Sequence, residues 1–338
     1  LVICLAYFAS VRRQGKRCLA AVVLMALCAA GGAGSRFAFW EKDLLYEGES
    51  IYNYLQVRET PESVILSTNV LFGVQSVHMK EAGLTGMYYD YALAAPLLAG
   101  ITEAEEASVL ILGLGSGTYA SQCSRYFPQA QVTGVEIDEQ IVQLAHDYFE
   151  LPSSVETAVY DGRAYLAASR ERYDVIMVDA YQDITIPFQM STVEFFDQVR
   201  DHLTEKGVMV VNMNMHSDSE GAINQYLADT ISTMFPSVYT AEVPGTTNRV
   251  LFAAAEGDLA GRLRQALPEV KDEALAGLMA QAAERLTPYQ SSGRLLTDDR
   301  APVELLGMRA IDELIAGELT YYRGILEREG VSGLIQAM

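Results

Sequence analysis

Cysteine and histidine are scarce in this chain, and neither is clustered. Cys4, Cys18, Cys28 and Cys123 share no short spacing, which excludes a zinc knuckle and a disulfide framework. His78, His146, His202 and His216 have no ligand spacing either, so no metal is expected. Cations are few: 24 Lys plus Arg stand against 44 Asp plus Glu, for a net charge of −20. Without a basic stripe to release counterions, a nucleic-acid partner is excluded. Repeats and low-complexity tracts are absent too. What the chain does have is apolar residues, 50% of 338. That rules out disorder and suits about two domains with a real core.

The few cations are unevenly placed. Arg12, Arg13, Lys16, Arg17 and Arg36 lie in the first forty residues, where no acid occurs. The run CLAAVVLMALCAAGGAGS, from Cys18 to Ser35, carries no charge and follows VRRQGKR. A hydrocarbon span needs about 20 apolar residues, so a transmembrane helix is expected at about 18–35. Phe37, Phe39 and Trp40 then fall where an interfacial aromatic belt would lie. A secretory signal peptide has the same pattern. However, the chain opens on LVICLAYFAS, which reads as the tail of another apolar segment. Residues 1–40 are therefore expected to end a membrane region of a longer protein. The basic loop belongs inside by the positive-inside rule, which would send the following domain across. A domain using a cytosolic nucleotide belongs inside as well. The expectation is a membrane protein whose catalytic domain faces the cytoplasm, the two signals conflicting.

From residue 41 to 82 the pattern turns to short β-rich runs: SIYNYLQVRE, SVILSTNVLF and VQSVHM. Their alternation, with Thr60-Pro61-Glu62 and Gly73 between them, predicts a small antiparallel region. MYYDYALAAPLLAG (87–100) reads as one helix ended by Gly100. Strands and helices then alternate. ASVLILGL, QVTGVEID, SVETAVYD, YDVIMVDAY and GVMVVNMN are the strands, and SVYTAEV with RVLFAAAE makes a terminal hairpin. Such an order predicts a Rossmann-like, doubly wound, mostly parallel sheet of the S-adenosylmethionine type over 83–310. A helical tail over 311–338 would follow.

The glycines of ILGLGSGTYA, Gly113, Gly115 and Gly117, lie between a strand and a helix, where the backbone must turn and approach a ligand. Glu136 ends the next strand, where an acid accepts both hydroxyls of a ribose. Asp161-Gly162 ends the third, where an acid accepts from an adenine amine. Together they predict an adenosine ligand. A dinucleotide fingerprint would place Gly or Ala at 118 to seat a pyrophosphate, but that position is Thr118. The spacing fits S-adenosylmethionine better.

GLGSGT, GVEID, YDGRAYL and DVIMVDAY, in this order after a β-rich region, resemble the spermidine synthases, the polyamine aminopropyltransferases. GVQSVHM is similar to that family's Gln-Ser element, and MYYDYALAAP to its Tyr-x-Glu helix, with Asp90 in the Glu place. LLTDDRAPVELL resembles the C-terminal signature of the membrane-fused branch. The resemblance implies aminopropyl transfer from decarboxylated S-adenosylmethionine, as co-substrate, to a diamine such as putrescine, releasing methylthioadenosine. It further implies that Asp179 takes the amine proton. Gln75 and Tyr88 would line the substrate channel, with Gln75 also near the cofactor, and Asp298 and Asp299 would help to close the site. A homodimer is compatible with it. Two departures touch amine recognition. Ser116 replaces a loop Asp beside the aminopropyl amine, and Asp183 lies four residues past Asp179 instead of three. Two other readings stay open: a methyltransferase using intact S-adenosylmethionine, and a non-catalytic sensor of nucleosides or polyamines.

Overall fold

The computed structural model describes residues 7, 15–32, 38, 41, 43–68, 74–180, 186–214 and 220–337. Helix α1 (Gly15–Gly32) comes first. Four strands then form an antiparallel sheet in chain order: β1 (Leu44–Glu49), β2 (Tyr54–Glu59), β3 (Ser63–Ser67) and β4 (Ser76–Met79). The alternating part follows with α2 (Tyr88–Ala92), α3 (Ala94–Leu98), β5 (Ala107–Leu112), α4 (Thr118–Tyr126) and β6 (Ala130–Glu136). It continues through α5 (Glu139–Tyr148), β7 (Glu156–Val159), α6 (Gly162–Ala168), β8 (Tyr173–Val178), α7 (Val193–Asp201) and β9 (Leu203–Met213). Helix α8 (Ile223–Met234), β10 (Ser237–Glu242) and β11 (Arg249–Ala254) complete it. Last come α9 (Leu259–Ala266), α10 (Glu273–Arg285), the two-residue β12 (Thr287–Pro288) and α11 (Val303–Ala337).

The second sheet has eight strands in the order β12-β10-β11-β9-β8-β5-β6-β7. Strands β9, β8, β5, β6 and β7 run parallel, and the β10–β11 hairpin adds antiparallel. After β7 the chain returns to the other side of β5, so the order reverses between β5 and β8. A doubly wound sheet opens a crevice at the carboxyl ends of the strands on either side of such a reversal. Both faces of the sheet are covered: Val109, Ile111, Val175 and Met177 pack into one apolar core, and Leu110, Leu112, Ile176 and Val178 into the other. Two-sided burial accounts for their continuous apolar runs. Leu55, Val57, Val64 and Leu66 of the small sheet pack on Ile141, Leu144 and Phe149, which hangs that sheet over the strand ends.

The structure departs from the sequence reading in three places. Strand β1 was not foreseen, because LLYEGE holds two Glu and a Gly, residues depleted from strands; pairing with β2 holds it. The helix expected over 87–100 is two short helices. Pro96 lacks an N–H and its ring crowds the carbonyl four residues back, at Ala92, where α2 ends. Helix α11 starts at Val303 and runs through residue 310, where the sequence reading ended the large domain.

The membrane expectation also meets a limit. Helix α1 has 18 residues, about 27 Å at ~1.5 Å per residue. Lys16 and Arg17 occupy its first turn, which leaves less apolar length than a ~30 Å hydrocarbon core requires. Among the described residues no helix is long and apolar enough to cross a membrane. Residues 33–35 of the expected span, with Phe37, Phe39 and Trp40, lie outside the described residues.

Candidate active site

A cleft of about 610 Å³ opens where the β5–β8 reversal predicts it. Gly113 and Gly115 form its floor just past β5, and Gln75 enters from the small sheet. Gly113 has φ +94°, and a Cβ there would come 2.5 Å from the Asp179 carbonyl oxygen, so only glycine lets the ends of β5 and β8 close up. Gly115 lies at φ +57° and its N–H donates to Glu136 Oε2 at 2.9 Å. Glu136 also accepts from the Asp138 N–H at 3.2 Å. Burial raises the Glu136 pKa, and these two backbone bonds offset only part of the effect.

Asp179 follows β8 and is half-buried in the same cleft. Tyr88 Oη donates to its Oδ2 at 2.6 Å and Asn212 Nδ2 to its Oδ1 at 3.1 Å. The Asn212 carbonyl in turn accepts from Asn248 Nδ2 at 2.9 Å, which fixes the amide orientation. Burial pushes the Asp179 carboxyl up to about 7, against the pull of the Tyr88 and Asn212 bonds and with help from the Glu136 charge. A carboxyl group with that pKa can accept a proton near neutral pH. Asp161 borders the cleft before α6, where its Oδ1 caps the helix by accepting from the Ala164 N–H at 2.8 Å.

The outer wall is latched from the C-terminal segment. Arg163 grips Asp298 with two bonds of 2.7 Å and donates to the Gln189 carbonyl at 3.0 Å. Thr192 Oγ1 adds a third bond to Asp298, at 2.7 Å. The Arg163 bonds hold the Asp298 carboxyl below the usual carboxylate range. The stretch 187–190 is thereby tied down, and Phe188 and Gln189 line the cleft.

Comparison with known proteins shows which family the chain belongs to. The spermine/spermidine synthase domain pattern matches residues 94–259. A probable polyamine aminopropyl transferase of Bifidobacterium longum (strain NCC 2705) is 52% identical, over 99% of this chain and 78% of its own length. The chain belongs to the polyamine aminopropyltransferase family. A polyamine aminopropyltransferase of Vibrio vulnificus (strain CMCP6) is 27% identical over 80% of this chain and 94% of its own. The fold is similar to that of a probable spermidine synthase from Corynebacterium glutamicum ATCC 13032, with a TM-score of 0.59 and 18% identity over 75% of this chain and 96% of that one.

Within this aminopropyltransferase fold, Gln75, Gly113, Gly115, Glu136, Asp161-Gly162 and Asp179 are brought together around one cleft. Tyr88 is buried and reaches the cleft through Asp179, while its neighbour Tyr89 lines the wall and donates to the Gln75 carbonyl at 2.8 Å. Ser116 and Gly117 stay outside. The buried Ser116 side chain faces a separate cavity of about 240 Å³ shared with Gln122 and Arg125. Gly117 begins α4 at φ +85°. Asp90 is structural: its carboxylate accepts from Thr85 N–H and Oγ1, the Gly86 N–H and Gln122 Nε2. Asp183 lies outside the described residues.

Sequence reasoning missed Asn212, Phe188 and Glu304. Asn212 had a signal, as the polar residue breaking the apolar run of β9. Phe188 and Glu304 had none, since neither stands at a strand end in the alternating pattern.

Proposed function

We propose that this aminopropyltransferase moves the aminopropyl group of decarboxylated S-adenosylmethionine to a diamine such as putrescine. The observation that carries the reading is Asp179, a carboxyl with its pKa raised to about 7 in the cleft that Glu136 and Asp161 share. Glu136 binds the ribose hydroxyls, and Asp161, through the oxygen away from its cap, binds the adenine amine. Ile137 and Tyr160 line the same cleft with apolar surface suited to a purine ring. Gly113 and Gly115 let the backbone approach the nucleoside, and Gly162 does the same at the start of α6.

The attacking amine is an ammonium in water, with a pKa near ~10.4 if it behaves as a lysine. Asp179 attracts it and takes one proton, which frees the nitrogen lone pair. That lone pair attacks the methylene carbon beside the sulfonium. The carbon–sulfur bond breaks, its electron pair stays on sulfur, neutral methylthioadenosine leaves, and the positive charge passes to the newly alkylated nitrogen. Tyr88 and Asn212 hold the carboxylate in line throughout, which is the positioning part of the rate enhancement. Gln75 and Asp183 belong to the amine side of the proposal, Asp183 on sequence grounds alone. Membrane attachment is part of the proposal too, supported by the uncharged run 18–35 behind a basic segment, and a homodimer is supported by family resemblance.

Product analysis by mass spectrometry tests the reading, with decarboxylated and intact S-adenosylmethionine supplied separately beside a panel of diamines. An aminopropylated diamine plus methylthioadenosine is expected from the decarboxylated compound. A methylated product from the intact one would replace this reading with a methyltransferase.

A further inference from the structure

We propose that Asn248, in the turn between β10 and β11, is a positioning residue for the transfer: it sets which end of the Asn212 amide meets Asp179. The proposal rests on the aminopropyl-transfer reading, in which Asp179 takes the amine proton. It adds a residue that does not itself line the cleft.

An Asn side chain donates from one end and accepts at the other. An ionised carboxylate only accepts, so it needs the NH2 end. A reversed amide would face it with an oxygen and favour its protonated form. Asn212 is buried on β9, with its Nδ2 3.1 Å from Asp179 Oδ1 and its Oδ1 2.9 Å from Asn248 Nδ2. Val250 pairs with Asn212 in the ladder, and Asn248, two residues earlier, falls on the same side of the sheet. The turn holds Asn248 in turn. Its N–H donates to Thr246 Oγ1 at 3.1 Å, and its carbonyl accepts from the Val243 N–H at 3.1 Å. A donor is thereby aimed at the Asn212 carbonyl, which leaves the NH2 end for Asp179. The other groups that face Asp179 do not depend on this turn. Tyr88 of α2 donates to it, Tyr89 of α2 is kept neutral by burial, and Glu136 of β6 repels its charge. Arg249, beside Asn248, is paired with Glu242 at 2.7 Å.

The test combines Asn248→Ala and Asn248→Asp, each alone and together with Asn212→Leu. Two quantities are read: the pH profile of kcat/KM with putrescine, and the Asp179 titration by carboxyl 13C NMR without substrate, assigned with Asp179→Asn. Asn248→Ala lets the Asn212 amide turn over, so the titration and the acid limb should both move up by about one pH unit, the size of one hydrogen bond to a charged group. Asn248→Asp keeps the shape but offers only acceptors to Asn212, so it should move both at least as far. With Asn212→Leu in place, Asn248→Ala should add nothing, and whatever Asn248→Asp adds there is the direct effect of its charge. An unmoved titration in both single variants overturns the proposal, whether or not Tm falls. So does an Asn248→Ala shift that persists beside Asn212→Leu, because the effect would then bypass the amide. Absence of transfer by the wild-type chain overturns the transfer reading and the proposal with it; the substrate-free titration separates that case from a failed amide assignment.

Discussion

A single proton on Asp179 links rate and stability in this molecule. The free carboxyl ionises near ~3.9, whereas burial raises it to about 7 in the folded chain. Only the ionised form can take a proton, so kcat/KM for the diamine should fall on the acid side of about 7. Asp179→Asn should lower turnover by roughly 10²–10⁴-fold and abolish that acid limb, with methylthioadenosine binding by calorimetry unchanged. The stability sign is opposite to the catalytic one. Between about 4 and 7 the native state keeps a proton that the unfolded chain has lost, so the native state weakens as pH rises. The Tm advantage of Asp179→Asn over wild type should therefore grow across that range and level off above about 7. An advantage that does not vary with pH would mean the carboxyl is not buried in this way. That Glu136, Asp161 and Asp179 would share one cleft was legible beforehand, since an acid at the end of a strand in the alternating pattern stands out in the sequence. The direction of the Ser116 side chain, into the smaller cavity, was not legible, because in a loop the face a side chain takes depends on backbone angles that residue type does not reveal.

At the scale of elements, the turn after β5 does the most with the least chain. Gly113 lets two strand ends, one carrying the glycine loop and the other Asp179, sit closer than any Cβ permits. Gly113→Ala should cost roughly 1–3 kcal/mol, the usual range for a strained backbone residue, and should weaken methylthioadenosine binding at the same time. Thermal melts and calorimetry on one sample check both; a stable variant with normal binding would show that the strand ends have slack. Parallel strands and their helices were readable because two-sided burial writes continuous apolar runs. Strand β1 and the break between α2 and α3 were not. One depends on a partner strand, and the other on the consequence of Pro96 one turn back along the helix.

Over the whole molecule, the C-terminal segment is bound to α8 by a buried acid. Asp229 of α8 accepts from Tyr289 Oη, from the Ser292 N–H and Oγ, and from the Arg294 N–H. Burial alone would raise its pKa, but the Ser292 and Arg294 bonds and the Tyr289 bond outweigh it and hold the carboxyl low. Its stabilisation is therefore complete above the ordinary carboxylate range and is lost as pH falls through the lowered value. Asp229→Asn should lower Tm at neutral pH and flatten the acid end of the stability profile; hydrogen bonds to a charged group are worth ~1.5–3 kcal/mol each. A parallel, merely shifted profile would contradict the assignment. The order of the cleft residues along the chain carries a meaning for biosynthesis. A ribosome delivers Gln75, the glycine loop, Glu136 and Asp161 first, then Asp179, and Glu304 last. Strand β5 can pair with β6 early, yet its other edge waits for β8. A nascent chain stalled in between holds the nucleoside half of its site beside a naked strand edge, the kind of surface on which chains associate wrongly. The chain thus passes through a form with an exposed β5 edge after Glu136 and Asp161 are laid down and before Asp179 arrives.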